Sequence, residues 1–251
     1  MLPEISVTCG VMDRQAHLDL ALSSWLACPE VDEVLLVDWS SCRPVALPAD
    51  PRVKLARVVG QQNWCASRCH NLELLLASGR KILRLDADDV LEPGFFAGHA
   101  LAGGDFFYYD VGQRRDENEK HLAGVVYAGR EAFALAGGYN EHISTYGYED
   151  EDLVTRMLLQ GLRPRHLDTS LLRHLPHGDD ERLARQVVPF DLGARPPWAP
   201  WNWQPGASAV DVLADRNAHL ALERPWTRSC ARATWFLRKI SDRAIECEEQ
   251  R

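Results

Sequence analysis

Two acidic clusters, a histidine pair and one arginine corner have the residue types and spacing to handle a cation, a phosphate and a proton. Asp86-Ala87-Asp88, with Asp89 behind it, follows the apolar run Lys81–Leu85. Carboxylates at i and i+2 on a strand-to-loop corner can both reach one hard divalent cation and its phosphate ligands, the donor set that Mg²⁺ and Mn²⁺ favour. The same pattern also serves as an exposed acidic turn capping the next element. Glu149-Asp150-Glu151-Asp152 opens a helical pattern directly after Tyr146-Gly147-Tyr148. Acidic residues in a first turn complement the helix dipole, which accounts for Glu151. The aromatics and glycine ahead of them read as a pocket floor, where a carboxylate within reach of a hydroxyl could act as general base. His174-x-x-His177 offers imidazole nitrogens to complete a cation's shell, or is a solvated loop pair. Asp13-Arg14-Gln15 combines an arginine with free backbone N–H groups, which suits a phosphate, or forms an ordinary first helical turn.

These groups need elements to hold them. Ile5–Cys9, Val34–Val37, Val53–Val59 and Lys81–Leu85 read as buried strands, and Gln15–Ala27 and Trp64–Ser78 as helices between them. Alternating strands and helices imply an α/β sheet with parallel pairing, and such sheets bind ligands beyond the carboxyl ends of their strands. Asp13-Arg14, Asp38 and Asp86 to Asp89 are therefore expected to face one crevice. Further on, Phe106–Asp110, Val125–Ala128, Arg163–Leu167 and Ser170–Arg173 read as strands, with helices at Glu131–Ala136 and Glu149–Gln160. Residues 189–206 are dense in proline and tryptophan and read as a loop. Val210–Leu222 and Ser229–Ala244 read as helices.

Length and composition set the outer bounds. A chain of 251 residues is expected to form one domain or one plus an appendage. Net charge is −8 with 25% charged residues, an ordinary globular balance that argues against a duplex nucleic-acid binder. Seven cysteines without C-x-x-C spacing read as reduced thiols, and no apolar run has the length of a membrane span or leader. A cytoplasmic protein is the resulting expectation.

The order of the motifs is more specific than any one of them. The chain resembles the GT-A fold glycosyltransferases, most closely the β-1,4-galactosyltransferase family and the inverting family-two enzymes. Arg14-Gln15-Ala16-His17-Leu18 is similar to the R-Q-x-H-L run after the first strand, and Val37-Asp38 to the strand-end acid. WCASRCHN from Trp64 to Asn71 resembles F-N-R-A-K-x-x-N, with Arg68 at the lysine and Asn71 at the asparagine. Leu85-Asp86-Ala87-Asp88-Asp89 resembles the D-A-D-D form of the D-x-D motif. Gly138-Tyr139 through Leu153 resembles G-[FY]…G-W-G-G-E-D-D-D, and Arg173-His174 the late R-H segment. Tyr146 stands at the family's tryptophan and Tyr148 at its second glycine, and Met157 reads as core.

The resemblance implies a Rossmann-like GT-A fold, with a catalytic core over 1–178 divided near residue 90 into nucleotide-binding and acceptor-binding halves. Residues 179–251 would be a loop and helices packed on that core. It implies that Asp88 and His174 bind Mn²⁺ or Mg²⁺, with His177 as the alternative ligand and Asp86 near ribose and metal. Arg14, Asp38, Arg68 and Asn71 would bind the nucleotide sugar. Asp150 would be the general base, with Glu149, Tyr146 and Tyr148 against the acceptor. The implied reaction is inverting transfer of a hexose or N-acetylhexosamine from a UDP-sugar to a glycan, lipid-linked, peptide or small-molecule acceptor, in a bacterial setting. A sugar nucleotidyltransferase and a non-catalytic binding module are the other readings. Trp198, Trp201 and Trp203 could be sugar platforms or loop anchors. The basic residues from Arg228 to Arg243 could lie on an anionic membrane surface or form an ordinary packed helix.

Overall fold

The computed structural model describes residues 3–188 and 208–250. β1 (Ile5–Val11) leads into α1 (Gln15–Leu26), followed by β2 (Glu33–Trp39), β3 (Val53–Val58), α2 (Ala66–Leu76) and β4 (Lys81–Arg84). Next come β5 (Asp89–Leu91), α3 (Phe95–Gly98), β6 (Asp105–Tyr108), β7 (Val126–Gly129) and α4 (Arg130–Ala136). α5 (Glu149–Leu159), β8 (Arg163–His166), β9 (Leu172–His174) and α6 (Asp179–Leu183) follow. α7 (Ala209–Glu223), β10 (Trp235–Lys239) and β11 (Ala244–Glu249) complete the described chain.

One sheet runs in the order β10-β11-β3-β2-β1-β4-β7-β6-β8. Pairing is parallel from β11 through β4, antiparallel where β7 joins β4 and β6, and parallel again at β8. Every residue of β1 and β2 is buried, because helices cover both faces of a parallel sheet and leave no polar side to alternate with. Leu18, Leu22 and Trp25 of α1 pack into the core on one face. Leu72 of α2, Phe133 of α4, and Leu153 and Met157 of α5 fill the other. Helix α5 starts with four acidic residues and ends before Gly161, at φ +77°, as the sequence anticipates.

Two expectations fail at the C-terminal end. The helix expected over Ser229–Ala244 is instead the hairpin β10–β11, and β11 adds in parallel to the edge of the sheet beside β3. Cys247 is buried against the sheet, while Phe236 and Leu237 of the outer strand are at least half exposed. An edge strand buries so little that it shows no alternating pattern, and its Arg238 and Lys239 keep the open edge polar. With no amphipathic helix there, the membrane-surface reading loses its basis. Arg232 donates to the Gly137 carbonyl, and Arg243 to the Pro48 and Asp50 carbonyls. Trp198, Trp201 and Trp203 lie outside the described residues. Among the described residues no helix is long and apolar enough to cross a membrane, and all seven cysteines carry free thiols.

Candidate active site

The acidic corner after β4 is built by a small second sheet. β5 pairs antiparallel with β9 so that Asp89 lies opposite His174, and the Leu175 amide donates to the Asp88 carbonyl at 2.7 Å. This pairing brings together residues 85 positions apart. Asp89 is fully buried and structural: its carboxylate accepts from the Asp86 amide at 2.9 Å and from His174 Nδ1 at 3.2 Å. Burial pushes Asp89 up to about 6. A carboxylate that fixes one imidazole nitrogen orients the other for a ligand, and His174 Nε2 is buried without a partner. Asp88 Oδ2 meets His177 Nε2 at 2.7 Å, while its buried Oδ1 makes no hydrogen bond and lies 3.5 Å from His174 Nδ1. Burial raises the Asp88 pKa, but the His177 hydrogen bond and the two histidine charges outweigh it and hold Asp88 below the usual carboxylate range. Asp88, His174 and His177 each offer a ligand atom within 4.8 Å of the others, as do Asp86, Asp88 and Asp89. One hard carboxylate plus two imidazoles fits a divalent first-row cation.

These groups line a cavity of about 290 Å³ whose other wall is basic. Arg14, at the carboxyl end of β1, pairs with Glu181 of α6 at 2.6 Å. Arg185 pairs with Asp13 at 2.5 Å, and its carbonyl accepts from the Trp64 amide, so the segment after α6 is tied over the cavity. Asp13 holds φ at +57°, a left-handed conformation that aspartate tolerates, and its carboxylate accepts from the Cys42 amide. Arg182 has a side chain only 6% exposed. One of its terminal nitrogens donates to the His177 carbonyl, and the other, buried, has no partner. His121 also lines the cavity, and burial, then Arg182 and His174, push it down to about 4.

The second acidic cluster sits apart from this cavity. Tyr148 takes φ +73° to turn the chain into α5, and Glu149 and Asp150 then point into the protein. Glu149 is 8% exposed, and burial pushes it up to about 7. Asp150 is pushed well above the carboxylate range by burial, with Arg84 opposing and Glu149 adding to the rise. Arg84 Nη1 stands 3.9 Å from Asp150 Oδ1, and Arg84 Nη2 donates to Asp86 Oδ1 at 2.6 Å. One guanidinium therefore lies between the two acidic clusters.

Of the residues expected at the site, Arg14, Asp86, Asp88, Tyr146, His174 and His177 line the cavity. Glu149 and Asp150 join them only through Arg84. Four others are placed elsewhere. Asp38 is fully buried and accepts from the Ser41 and Val45 amides and from Arg57, which leaves its carboxylate committed to folding the loop after β2. Arg68 faces the C-terminal hairpin and pairs with Glu249 at 2.9 Å. Asn71 exchanges hydrogen bonds with the Tyr139 backbone and holds the turn at Gly138, where φ is +70° and a Cβ would strike Asn71 Oδ1. Tyr148 lines a separate surface cavity between α5 and the segment after α7. Arg84, His121 and Arg182 escape the motif reading. For Arg84 the available signal is a charge inside the apolar strand Lys81–Leu85; the other two have none.

Residues 109–178 match the model of the N-terminal domain of galactosyltransferase. No curated protein sequence matches the chain. Among solved structures, the catalytic domain of Drosophila β1,4-galactosyltransferase 7 in complex with xylobiose aligns with TM-score 0.58 and 10% identity, over 99% of this chain and 94% of that one. A mutant of that enzyme in complex with manganese, UDP-Gal and xylobiose aligns with TM-score 0.57 and 11% identity, over 98% and 92%. The mannosyltransferase PcManGT of Pyrobaculum calidifontis, in complex with GDP-Man and Mn²⁺, aligns with TM-score 0.53 and 15% identity, over 70% of this chain and 58% of that one. The fold is GT-A, and the chain is galactosyltransferase-like over the matched segment.

Proposed function

We propose that this chain is a divalent-cation-dependent glycosyltransferase that moves a hexose or N-acetylhexosamine from a UDP-sugar to an acceptor hydroxyl, with inversion at the anomeric carbon. One observation carries the reading: a single cavity is lined by the Asp88–His174–His177 ligand set and by Arg182, one of whose terminal nitrogens is buried without a hydrogen-bond partner. A nucleoside diphosphate bridging a cation satisfies both. The relatives' complexes with UDP-Gal, GDP-Man, manganese and xylobiose support the same substrate classes.

Asp88, His174 and His177 would hold Mn²⁺ or Mg²⁺, and when bound the cation neutralises charge on the departing diphosphate. Arg182 and Arg14 bind the diphosphate oxygens from the opposite wall, Arg14 exchanging Glu181 for phosphate. Tyr146 lies beside the donor. Asp150, a strengthened base at the start of α5, takes the proton of the acceptor hydroxyl as its oxygen bonds the anomeric carbon and the bond to the diphosphate breaks. Glu149 positions the acceptor by hydrogen bonding.

Calorimetric titration of UDP, with GDP and CMP as controls, tests this with and without Mn²⁺. UDP binding that requires the cation is the expected result. Preference for GDP overturns the donor assignment, cation-independent binding overturns the ligand set, and no binding by the folded protein favours a non-catalytic module.

A further inference from the structure

Arg84 occupies a place where a charge is costly. It lies in β4, paired with β1 and β7 in the body of the sheet, and its side chain is only 4% exposed. Removing a guanidinium from water costs several kcal/mol unless its donors are met. The structure meets those of both terminal nitrogens from several sides and leaves Nε buried without a hydrogen-bond partner. Nη1 donates to the Gly124 carbonyl at 2.7 Å and Nη2 to His70 Nε2 at 2.6 Å, and both reach Asp86. His70 Nε2 must accept, so its proton is on Nδ1, which donates to Glu73 at 2.9 Å. His70 and Glu73 are themselves buried. Gly124 is part of the same fit: a Cβ there would collide with the guanidinium and approach Asp86 Oδ2 to 2.9 Å. Cys69, His70 and Glu73 have the spacing of a metal site, but His70 Nδ1 is engaged by Glu73, and the buried guanidinium on Nε2 would repel a cation.

We propose that Arg84 is a positioning residue of the transfer reaction, a buried fork that ties Asp86 on the donor side to Asp150 on the acceptor side and is itself aimed by the fixed tautomer of His70. The inference rests on the functional reading above. Asp86 and Asp150 belong to different elements, β4's corner and α5; Arg84 hydrogen-bonds the first and places its charge 3.9 Å from the second, an ion pair without a hydrogen bond. Its planar guanidinium sets their separation, and with it the distance between the leaving group and the acceptor oxygen.

The test compares Arg84→Met and Arg84→Lys with His70→Gln and His70→Leu. Misplacing reacting groups by about 1 Å costs about 100-fold in rate. Arg84→Met is expected to lower kcat by about that factor, while Mn²⁺-dependent UDP affinity stays within about 3-fold because Asp88, His174 and Arg182 are untouched. Arg84→Lys, with charge but no fork, is expected to recover less than about a tenth of the lost rate. His70→Gln keeps an acceptor for Arg84 and stays near wild type, whereas His70→Leu falls toward Arg84→Met. Equal loss in both His70 variants, or wild-type kcat in Arg84→Met, overturns the inference. Nitrogen-15 NMR of the unliganded wild type reads the tautomer independently of turnover. A protonated Nε2 on His70 overturns the network, whereas absence of any transfer by wild type, with the Nδ1–H tautomer present, overturns the functional reading instead.

Discussion

The two acidic clusters differ in how their charge is met. At the β4 corner, Asp86 is paired with Arg84, and Asp88 lies against His174 and His177, so that Asp88 stays below the usual carboxylate range. At the start of α5, Glu149 is buried and Asp150 half-buried, each with an oxygen that makes no hydrogen bond, and both are pushed upward. The same functional group is thus prepared for opposite tasks: an ionised ligand for a cation in one place, a proton acceptor in the other. Environment alone separates the roles.

Removing the base should break this division most sharply. Asp150→Asn is expected to cut transfer by about 1,000-fold, within the range for loss of a general base, and to leave Mn²⁺-dependent UDP affinity unchanged. Near-normal turnover would reassign the proton acceptor. Asp88→Ala attacks the other side, with UDP affinity expected to drop about 100-fold in Mn²⁺ and to become insensitive to the cation. Calorimetry with and without Mn²⁺ reads this directly, and retained cation dependence would remove Asp88 from the ligand set. Arg182→Met takes away one charged hydrogen-bonding partner of the diphosphate and is expected to cost about 10-fold in UDP affinity. An equal loss of affinity for uridine, which lacks phosphate, would show that Arg182 acts on the nucleoside.

The sequence made the corner legible because its chemistry is local. Asp86, Asp88, Glu149 and Asp150 each sit in a short motif beside a strand end or helix start, and the apolar runs around them fix those elements by burial. What it hid is long-range. The β5–β9 pairing that sets His174 against Asp89 involves three residues per strand, too few for a period. Asp38 looks like a ligand from its strand-end position, yet both its oxygens accept from backbone amides of the loop it folds. The hairpin at the C-terminus was obscured for another reason: strand β10 lies at the edge, so its apolar and charged residues are not sorted between faces. Arg84 shows the opposite case, a charge visible in an apolar strand whose partners, His70 and Gly124, only the fold supplies.

The smallest effect concerns stability and separates the clusters by pH. Glu149 is pushed by burial from 4.5 to about 7 in the folded protein. Below its ordinary pKa both folded and unfolded chains hold the proton, and Glu149 costs nothing. As pH rises toward 7, the unfolded chain releases the proton while the folded one retains it, so stability falls through that window. Above the folded pKa the full penalty, about 3 kcal/mol, is in place. Glu149→Gln removes it, since the amide has no proton to lose. The variant is therefore expected to melt close to wild type at pH 4 and roughly 5–10 °C higher at pH 8. Thermal unfolding followed by circular dichroism at the two pH values measures the difference. A melting difference that does not change with pH would mean that Glu149 is ionised in the folded protein, and that α5 holds an ordinary pair of carboxylates like those at the corner.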